Sequence, residues 1–242
     1  MSGLAHYFED EGIATTLISL VRLHSEIMRA PRALWVPFEL GRPLGPPNDP
    51  AFQREVLSAA LGLLESDRGP SVLVDFDREA PNSLPDEGWR CPIATDPSAA
   101  APEDPAEMGR LLKVELDNVA PWHRKAAARF GRTTTGLGGL PIEGLVARLG
   151  EALKGTVPAS PIKGLHRMQA LRFAVDDIKA FYLEAAAAGD GRPSSRQLTD
   201  WFWQQSLAAR AIHALREVAL RSEDKVTRRI ADGSLIPDDY LP

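Results

Sequence analysis

PRALWVPFELGRPLGPPNDP, residues 31–50, is the stretch that decides the fold of the first part of this chain. It opens with an apolar segment of β-type residues, Ala33 to Phe38, and continues into a turn rich in Gly and Pro. It ends at Asp49 and Pro50, which are typical of the cap and the first residue of a helix. A strand followed by a rigid loop and a helix is half of a βαβ unit, and ligands collect at such loops. The stretch therefore predicts a ligand site at this loop.

The segments on either side extend this pattern to a small sheet. Ile13 to Val21 is rich in β-branched residues and Ser71 to Phe76 is a short apolar run, so both predict strands. Leu4 to Glu11 and Ala51 to Glu65 carry apolar residues at helical spacing. Strands that alternate with helices favour a parallel sheet with right-handed crossovers. Three strands are few for a sheet that is covered on both faces, so we expect a second chain to complete it.

Helical patterns dominate the chain after an irregular connection that is rich in Pro, Ala and acidic residues. The predicted helices span Met108 to Phe130, Ile142 to Lys154, His166 to Ala188, and Ser194 to about Leu220. Pro121 should kink or break the first of these, and Ser194 with Gln197 has the form of a capping box. We therefore predict an α/β fold. Residues 1–100 form a small parallel sheet with flanking helices, and 101–242 form an α-helical region packed on it or making a hairpin.

Composition and charge narrow the classes of function. The chain has 242 residues, of which 44% are hydrophobic and 25% charged, and its net charge is −5. This balance argues against a nucleic-acid partner or an anionic membrane surface. No apolar run approaches the ~18 residues of a membrane-spanning helix. The first residues are acidic where a signal peptide is basic and then apolar, so we expect a cytoplasmic protein.

The loop in the middle of the deciding stretch supplies the first candidate site. Glu39, Gly41, Arg42 and Gly45 lie in it, and the guanidinium of Arg42 is suited to bind a carboxylate or a phosphate. Asp49 already caps the next helix, so the usual anion site at that helix start is blocked. The alternative is a stiff connection in which Arg42 pairs with Glu39.

A second candidate is a metal site at the same edge of the sheet. Asp75 and Asp77 are two residues apart at the end of the third predicted strand, so their carboxylates share one face. His24 and Glu26 follow the first strand and complete a set of four oxygen and nitrogen ligands for a divalent cation. The alternatives are a solvated strand end and surface or capping roles. We predict no other cofactor.

Cys91 is the single cysteine, which excludes an internal disulfide and any metal site of several cysteines. It lies in Trp-Arg-Cys-Pro without a His nearby in the sequence, and apolar neighbours raise the pKa of a thiol. A structural role is therefore favoured.

The segment from about Gly12 to Leu64 resembles the C-terminal part of the selenoprotein B subunits of the glycine, sarcosine, betaine and D-proline reductases. The resemblance rests on Gly12-Ile13 before a β-branched strand, on Ala30-Pro31-Arg32 before the next, and on Pro37-x-x-Leu40-Gly41-x-Pro43 before a helix rich in Leu and Ala. It covers under a quarter of the chain. In that family a selenocysteine or cysteine of a short redox motif cleaves a C–N bond of the substrate reductively. Only eleven residues precede Gly12 here, and none is Cys.

The resemblance implies a reductase subunit that shapes the site of a small, amino-acid-like substrate and takes its redox-active residue from a partner chain. A stand-alone enzyme using the metal set is one alternative hypothesis. A non-catalytic ligand-binding or scaffold protein, which holds a partner through its long helices, is another.

Overall fold

The computed structural model of this protein describes residues 2–66, 71–81, 85–95, 102 and 104–241. The chain divides into two compact units, which we call unit 1 (Met1–Pro85) and unit 2 (Asp86–Pro242). Within the described residues, every helix is too short or too polar to cross a membrane.

Unit 1 contains the predicted parallel sheet. Its strands are β1 (Leu17–Ser19), β2 (Arg32–Trp35) and β3 (Val72–Asp75), which pair in the order β1-β2-β3 with both pairs parallel. The predicted α/β class is therefore confirmed. Strand β1 is shorter than predicted because the threonines before it bond elsewhere: the Thr15 hydroxyl donates to Glu9 and the Thr16 hydroxyl to the Ala60 carbonyl. β-Branched residues indicate strand preference, but a strand extends only where a neighbouring strand pairs with it.

Three α-helices accompany the sheet in the described part of unit 1. They are α1 (Ser2–Asp10), α2 (Arg22–Ile27) and α3 (Pro50–Gly62), the last continuing into a 3-10 turn at Leu63–Glu65. Asp49 caps α3 as predicted, since its carboxylate accepts the amide of Phe52 at 3.1 Å and Pro50 takes the first position. The buried face of α3 packs against β2.

Three phenylalanines join the ends of these elements. Phe38 follows β2, Phe52 lies in the first turn of α3 and Phe76 follows β3, and their ring centroids are 5.5 to 6.1 Å apart. Gly45 has a φ of +79°, and a β-carbon there would lie 2.6 Å from the Phe52 ring. Only glycine allows the loop after β2 to approach this aromatic cluster so closely.

Unit 2 is helical throughout its described length apart from the connections. Its helices are α4 (Pro105–Phe130), α5 (Ile142–Leu153), α6 (Arg167–Ala186), α7 (Ser195–Gln205), α8 (Leu207–Leu220) and α9 (Lys225–Gly233). The capping box of Ser194 and Gln197 is present as predicted. The predicted break at Pro121 is wrong, since α4 runs through it. A proline removes one helical hydrogen bond, and the buried apolar face of α4 offsets that loss.

The single helix predicted from Ser194 to Leu220 is also wrong. Ser206 adopts extended backbone angles, φ −83° and ψ 146°, and separates α7 from α8. Its hydroxyl accepts the amide of Ala209 at 3.0 Å, so it caps the second helix. The amides of Leu207 and Ala208 bond to a carboxylate from another helix, which no local pattern reveals. Helix α9, capped by Asp224, was not predicted at all.

That carboxylate belongs to Glu115 of α4, and it joins three helices in the core of unit 2. It accepts the amides of Leu207 and Ala208 at 2.8 and 3.0 Å and the hydroxyl of Tyr182 at 3.0 Å. Burial raises the pKa of Glu115 in spite of these hydrogen bonds. Burial and the neighbouring Glu115 likewise raise the pKa of Tyr182. Removing the carboxylate would leave the buried donors of Tyr182 and Ala208 and the half-buried amide of Leu207 without this acceptor.

The irregular segment at the start of unit 2 packs on this helical core. Trp89 and Ile93 are buried in it. Asp86 accepts the amide of Arg192 at 2.9 Å and exchanges hydrogen bonds with the Gln197 side chain through its backbone. The apolar island within the predicted connection is therefore part of the helical unit.

We predict that Glu115→Ala lowers the free energy of unfolding of the protein by about 3 kcal/mol, because it orphans buried donors of α6 and α8. Chemical denaturation followed by tryptophan fluorescence measures the change. Asp117→Ala, at an exposed position of the same helix, is the matched control and should leave the midpoint nearly unchanged. Equal effects of the two substitutions would show that the buried carboxylate does not organise the core.

Candidate functional site

One opening in unit 2 is a cleft of about 750 Å³ where four helix ends meet. The end of α5, the start of α6, the end of α8 and the start of α9 form its sides. We call it the basic cleft, and its charged and hydroxyl-bearing lining includes Lys154, His166, Arg167, Arg221, Ser222 and Asp224. Its volume is in the range of sites that hold small molecules.

A histidine and an aspartate from different helices meet in the basic cleft. His166 caps α6 and Asp224 caps α9, and Nε2 of His166 lies 3.2 Å from Oδ2 of Asp224. Nδ1 of His166 accepts the amide of Met168 at 3.3 Å, so this nitrogen carries no proton and Nε2 donates to Asp224. The pair thus fixes the starts of two helices relative to each other.

The carboxylate of Asp224 is saturated with donors. Besides His166, it accepts the hydroxyl and the amide of Thr227 at 2.5 and 2.9 Å and the amide of Val226 at 3.3 Å. The bonds from Thr227 are the largest of the influences that lower the pKa of Asp224. Asp224 is therefore an ionised structural group with little capacity left for a ligand.

The cationic side chains of the basic cleft differ in the ion pairs and hydrogen bonds that they make. Lys154 lies 2.8 Å from the Glu151 carboxylate, and Arg167 donates to the Val157 carbonyl at 3.4 Å. Among the described residues, Arg221 has no hydrogen-bond or ion-pair partner for its side chain. Two guanidinium groups on this surface thus lack a carboxylate partner in the part of the chain that the structure describes. This surplus of positive charge lies on a protein whose net charge is −5.

An apolar side completes the basic cleft. Leu153, Val157, Val218 and Ala219 line it next to the charged residues. A surface that combines guanidinium groups with aliphatic side chains fits a molecule that has an anionic group and a compact apolar body.

The arrangement favours binding over proton transfer. A histidine acts as a general base through a free nitrogen lone pair. In His166 the lone pair of Nδ1 accepts the Met168 amide, and Nε2 bears the proton that goes to Asp224. The side chain therefore has no nitrogen available to a substrate. We found no other His beside this cleft among its lining residues.

The predicted loop site in unit 1 has a different character. Arg42 lies 3.7 Å from Glu39 and its amide donates to the Glu39 carbonyl, as in the stiff-connection alternative. Gly41 has a φ of +90° in open space, whereas Gly45 is required by the Phe52 contact. The loop follows β2 at the carboxyl edge of the sheet, where it was predicted, but none of these four residues lines either of the two described cavities.

The four candidate metal ligands are only partly brought together. Arg22 lies between two of them, since its guanidinium is 3.0 Å from Asp75 and 3.3 Å from Glu26. A positive side chain thus takes the place between these carboxylates. His24 lines a separate cavity of about 350 Å³ beside β1, and Asp77 is exposed. In the described part of the chain, no three His, Cys, Asp or Glu side chains converge as a metal site.

Cys91 packs against the core of unit 2. Burial raises the pKa of its thiol to about 11. A thiol with so high a pKa is mostly protonated at neutral pH and is a poor nucleophile. The favoured structural reading of Cys91 fits this environment.

A glycine-rich loop, residues 131–139, is tied to α6 by two carboxylates. Asp177 accepts the amides of Gly136, Leu137 and Gly138 at 2.8 to 3.0 Å. Two turns later, Glu184 accepts the hydroxyls of Thr133 and Thr134 at 2.7 Å each. A loop of this composition often cradles an external anion, but here the chain supplies the anion itself. The loop is therefore a structural element, although its glycines alone predict flexibility.

The residues of the basic cleft were not among the predicted site residues. His166, Arg221 and Asp224 are separated by up to 58 positions in the sequence and fit no motif. The available signal was local: Asp224 precedes a short amphipathic segment and can be recognised as a helix cap. Only the packing of α6, α8 and α9 brings these residues to one surface.

The hydrogen bonds that Glu184 accepts from the glycine-rich loop should make the stability of the protein depend on pH. Partial burial acts to raise the pKa of Glu184, but hydrogen bonds from Thr133, Thr134 and His123 outweigh it and lower the pKa. The stabilisation is therefore complete above the ordinary Glu pKa of about 4.3 and is lost as the pH falls through the lowered value. We expect Glu184→Gln to lower the unfolding free energy by about 1 to 2 kcal/mol at pH 7 and by much less at about pH 3.

Chemical denaturation of the two proteins at both pH values measures the difference. Glu143→Gln, an exposed glutamate on α5, is the control and should have no effect at either pH. A loss of stability in Glu184→Gln that is the same at both pH values would contradict the role of the ionised carboxylate.

Comparisons of this chain with protein-family models, with curated proteins and with solved structures find no match. The resemblance to the reductase B subunits therefore stays a prediction that rests on the residues quoted for it.

Proposed function

We propose that this protein binds a small organic anion in the basic cleft of unit 2, and that the cleft binds this anion without catalysing a reaction of it. The observation that carries this proposal is the guanidinium of Arg221, which has no partner among the described residues and lines, with Arg167 and aliphatic side chains, a cleft of about 750 Å³. An exposed arginine without a carboxylate partner is ordinary, but two that line one concave surface with apolar neighbours, and that have no such partner in the described part of the chain, match the anatomy of a ligand site.

The engagement of His166 supports a binding role over a catalytic one. Both of its nitrogens are used to hold α6 and α9 together. The side chains left to meet a ligand are guanidinium groups, hydroxyls and aliphatic groups, which recognise an anion but transfer no proton near neutral pH. We place the protein in the cytoplasm, which the single cysteine of the sequence fits.

The test is a thermal-shift screen of the full chain with small organic carboxylates, phosphates and sulfates. At a ligand concentration of about 100 times Kd, binding should stabilise the protein by about 2.7 kcal/mol and raise its melting temperature. Arg221→Ala should weaken the affinity about 10-fold, because a charge-assisted contact contributes roughly 1.4 kcal/mol. Arg124→Ala removes the same charge from an exposed position on α4 and should change nothing. If no anion raises the melting temperature at millimolar concentration, the proposal fails.

A second proposal concerns unit 1, which we suggest is related to the reductase B subunits. In this proposal it shapes an amino-acid-like substrate site at residues 39–45, and a partner chain supplies the redox-active Cys or selenocysteine. The support is the sheet itself: β1 and β3 each pair on one side only in the described residues. The short helix α2 beside it exposes Leu23 by 64% and Ile27 by 68%. Such apolar exposure next to an open strand edge is typical of an interface.

Co-expression with a chain that carries the Cys or selenocysteine motif tests this proposal. The two chains should form a stable complex, and reductive cleavage of an amino-acid C–N bond should require both. Ile27→Glu should weaken the complex at least about 10-fold by burying a charge in the interface. Val114→Glu, at an exposed valine of unit 2, is the control. A complex that is insensitive to Ile27→Glu, or a chain that forms none, would contradict the proposal.

A further inference from the structure

The chemistry of the basic cleft also indicates which class of anion it binds. We propose that its ligand is a phosphate monoester with a compact apolar body, and that the phosphoryl group binds Arg167 and Arg221. This inference rests on the proposed binding function of the cleft. It adds the identity of the anionic group and the character of the rest of the molecule.

Two guanidinium groups favour a phosphoryl group over a carboxylate. Arg167 and Arg221 line the same cleft as the His166–Asp224 pair and have no carboxylate partner among the described residues. A carboxylate has two oxygens and one charge, which a single guanidinium group satisfies. A phosphate monoester has three terminal oxygens and a charge of about −1.5 to −2 near neutral pH, so it can engage both groups.

The rest of the lining agrees with this assignment. Three cations line the cleft against one carboxylate, and that carboxylate already accepts four hydrogen bonds. The hydroxyl of Ser222 accepts the Asp224 amide at 3.2 Å, which leaves its own proton free to donate. The amides at the starts of α6 and α9 are not counted, because His166 and Asp224 cap them.

The size and the apolar side of the cleft indicate an ester over free phosphate. A volume of about 750 Å³ is far larger than a single phosphate ion needs. Leu153, Val157 and Val218 offer aliphatic contacts to a substituent. No Phe, Tyr or Trp is among the residues that line the cleft, so it has no stacking surface for a nucleobase. A compact aliphatic body therefore fits better than a nucleoside.

Isothermal titration calorimetry on the full chain tests the inference with four probes: monobutyl phosphate, pentanoate, inorganic phosphate and AMP. Monobutyl phosphate should bind at least about 10-fold more tightly than pentanoate and than inorganic phosphate, and no more weakly than AMP. Arg167→Ala and Arg221→Ala should each weaken its binding about 10-fold, and Arg221→Lys should weaken it less, since a lysine keeps the charge without the fork. Arg124→Ala is the control and should leave the affinity unchanged.

The outcomes separate this inference from the function on which it rests. Pentanoate binding as tightly as monobutyl phosphate would overturn the phosphoryl assignment and leave the anion-binding function standing. Equal affinities for inorganic phosphate and the ester would overturn the inference that the ligand carries an apolar substituent. AMP binding about 10-fold more tightly than the ester would overturn the inference that this substituent is compact. If no probe binds and the wider screen of anions is also negative, both proposals fall.

Discussion

The carboxylate of Glu115 is the interaction on which the arrangement of unit 2 depends. It lies in the core between α4, α6 and α8, and it accepts the first two amides of α8 together with the hydroxyl of Tyr182. A buried carboxylate is unfavourable unless donors surround it, and a helix start is unfavourable unless its amides find acceptors. The amides of α8 supply the donors that the carboxylate needs, and the carboxylate is the acceptor that these amides need. The direction in which α8 leaves Ser206 follows from this contact, and so does the position of its far end at the basic cleft.

The same principle recurs at the glycine-rich loop, where carboxylates of α6 bind backbone and side-chain donors of the chain itself. Asp177 holds three successive amides of the glycine-rich loop, and Glu184 holds its threonines. These donors would otherwise form an attractive anion site. The basic cleft is the place where the balance is reversed, because there guanidinium groups outnumber the carboxylates that could pair with them. Arg42 pairs with Glu39, whereas Arg221 has no carboxylate partner among the described residues.

Unit 1 shows how a fold-determining loop can have the composition of a binding site without its geometry. Its prolines and glycines bring Phe38 and Phe52 together with Phe76, and Gly45 is small because the Phe52 ring lies against it. Packing alone accounts for that glycine. Packing within the described part of the unit leaves one side of β1 and one side of β3 unpaired and the side chains of Leu23 and Ile27 on α2 exposed.

The sequence by itself determined the elements that depend on neighbours along the chain. The parallel sheet followed from β-branched runs that alternate with an amphipathic helix, and the caps at Asp49 and Ser194 followed from local chemistry. Only the tertiary structure decided where α7 ends and α8 begins, because Glu115 is 92 positions away from Leu207 in the sequence. It also decided the site, since His166 and Asp224 meet only when two distant helix starts pack together. Hydrogen-bond partners and unpaired charges are properties of three-dimensional neighbours, and no periodicity or spacing in a single sequence specifies them.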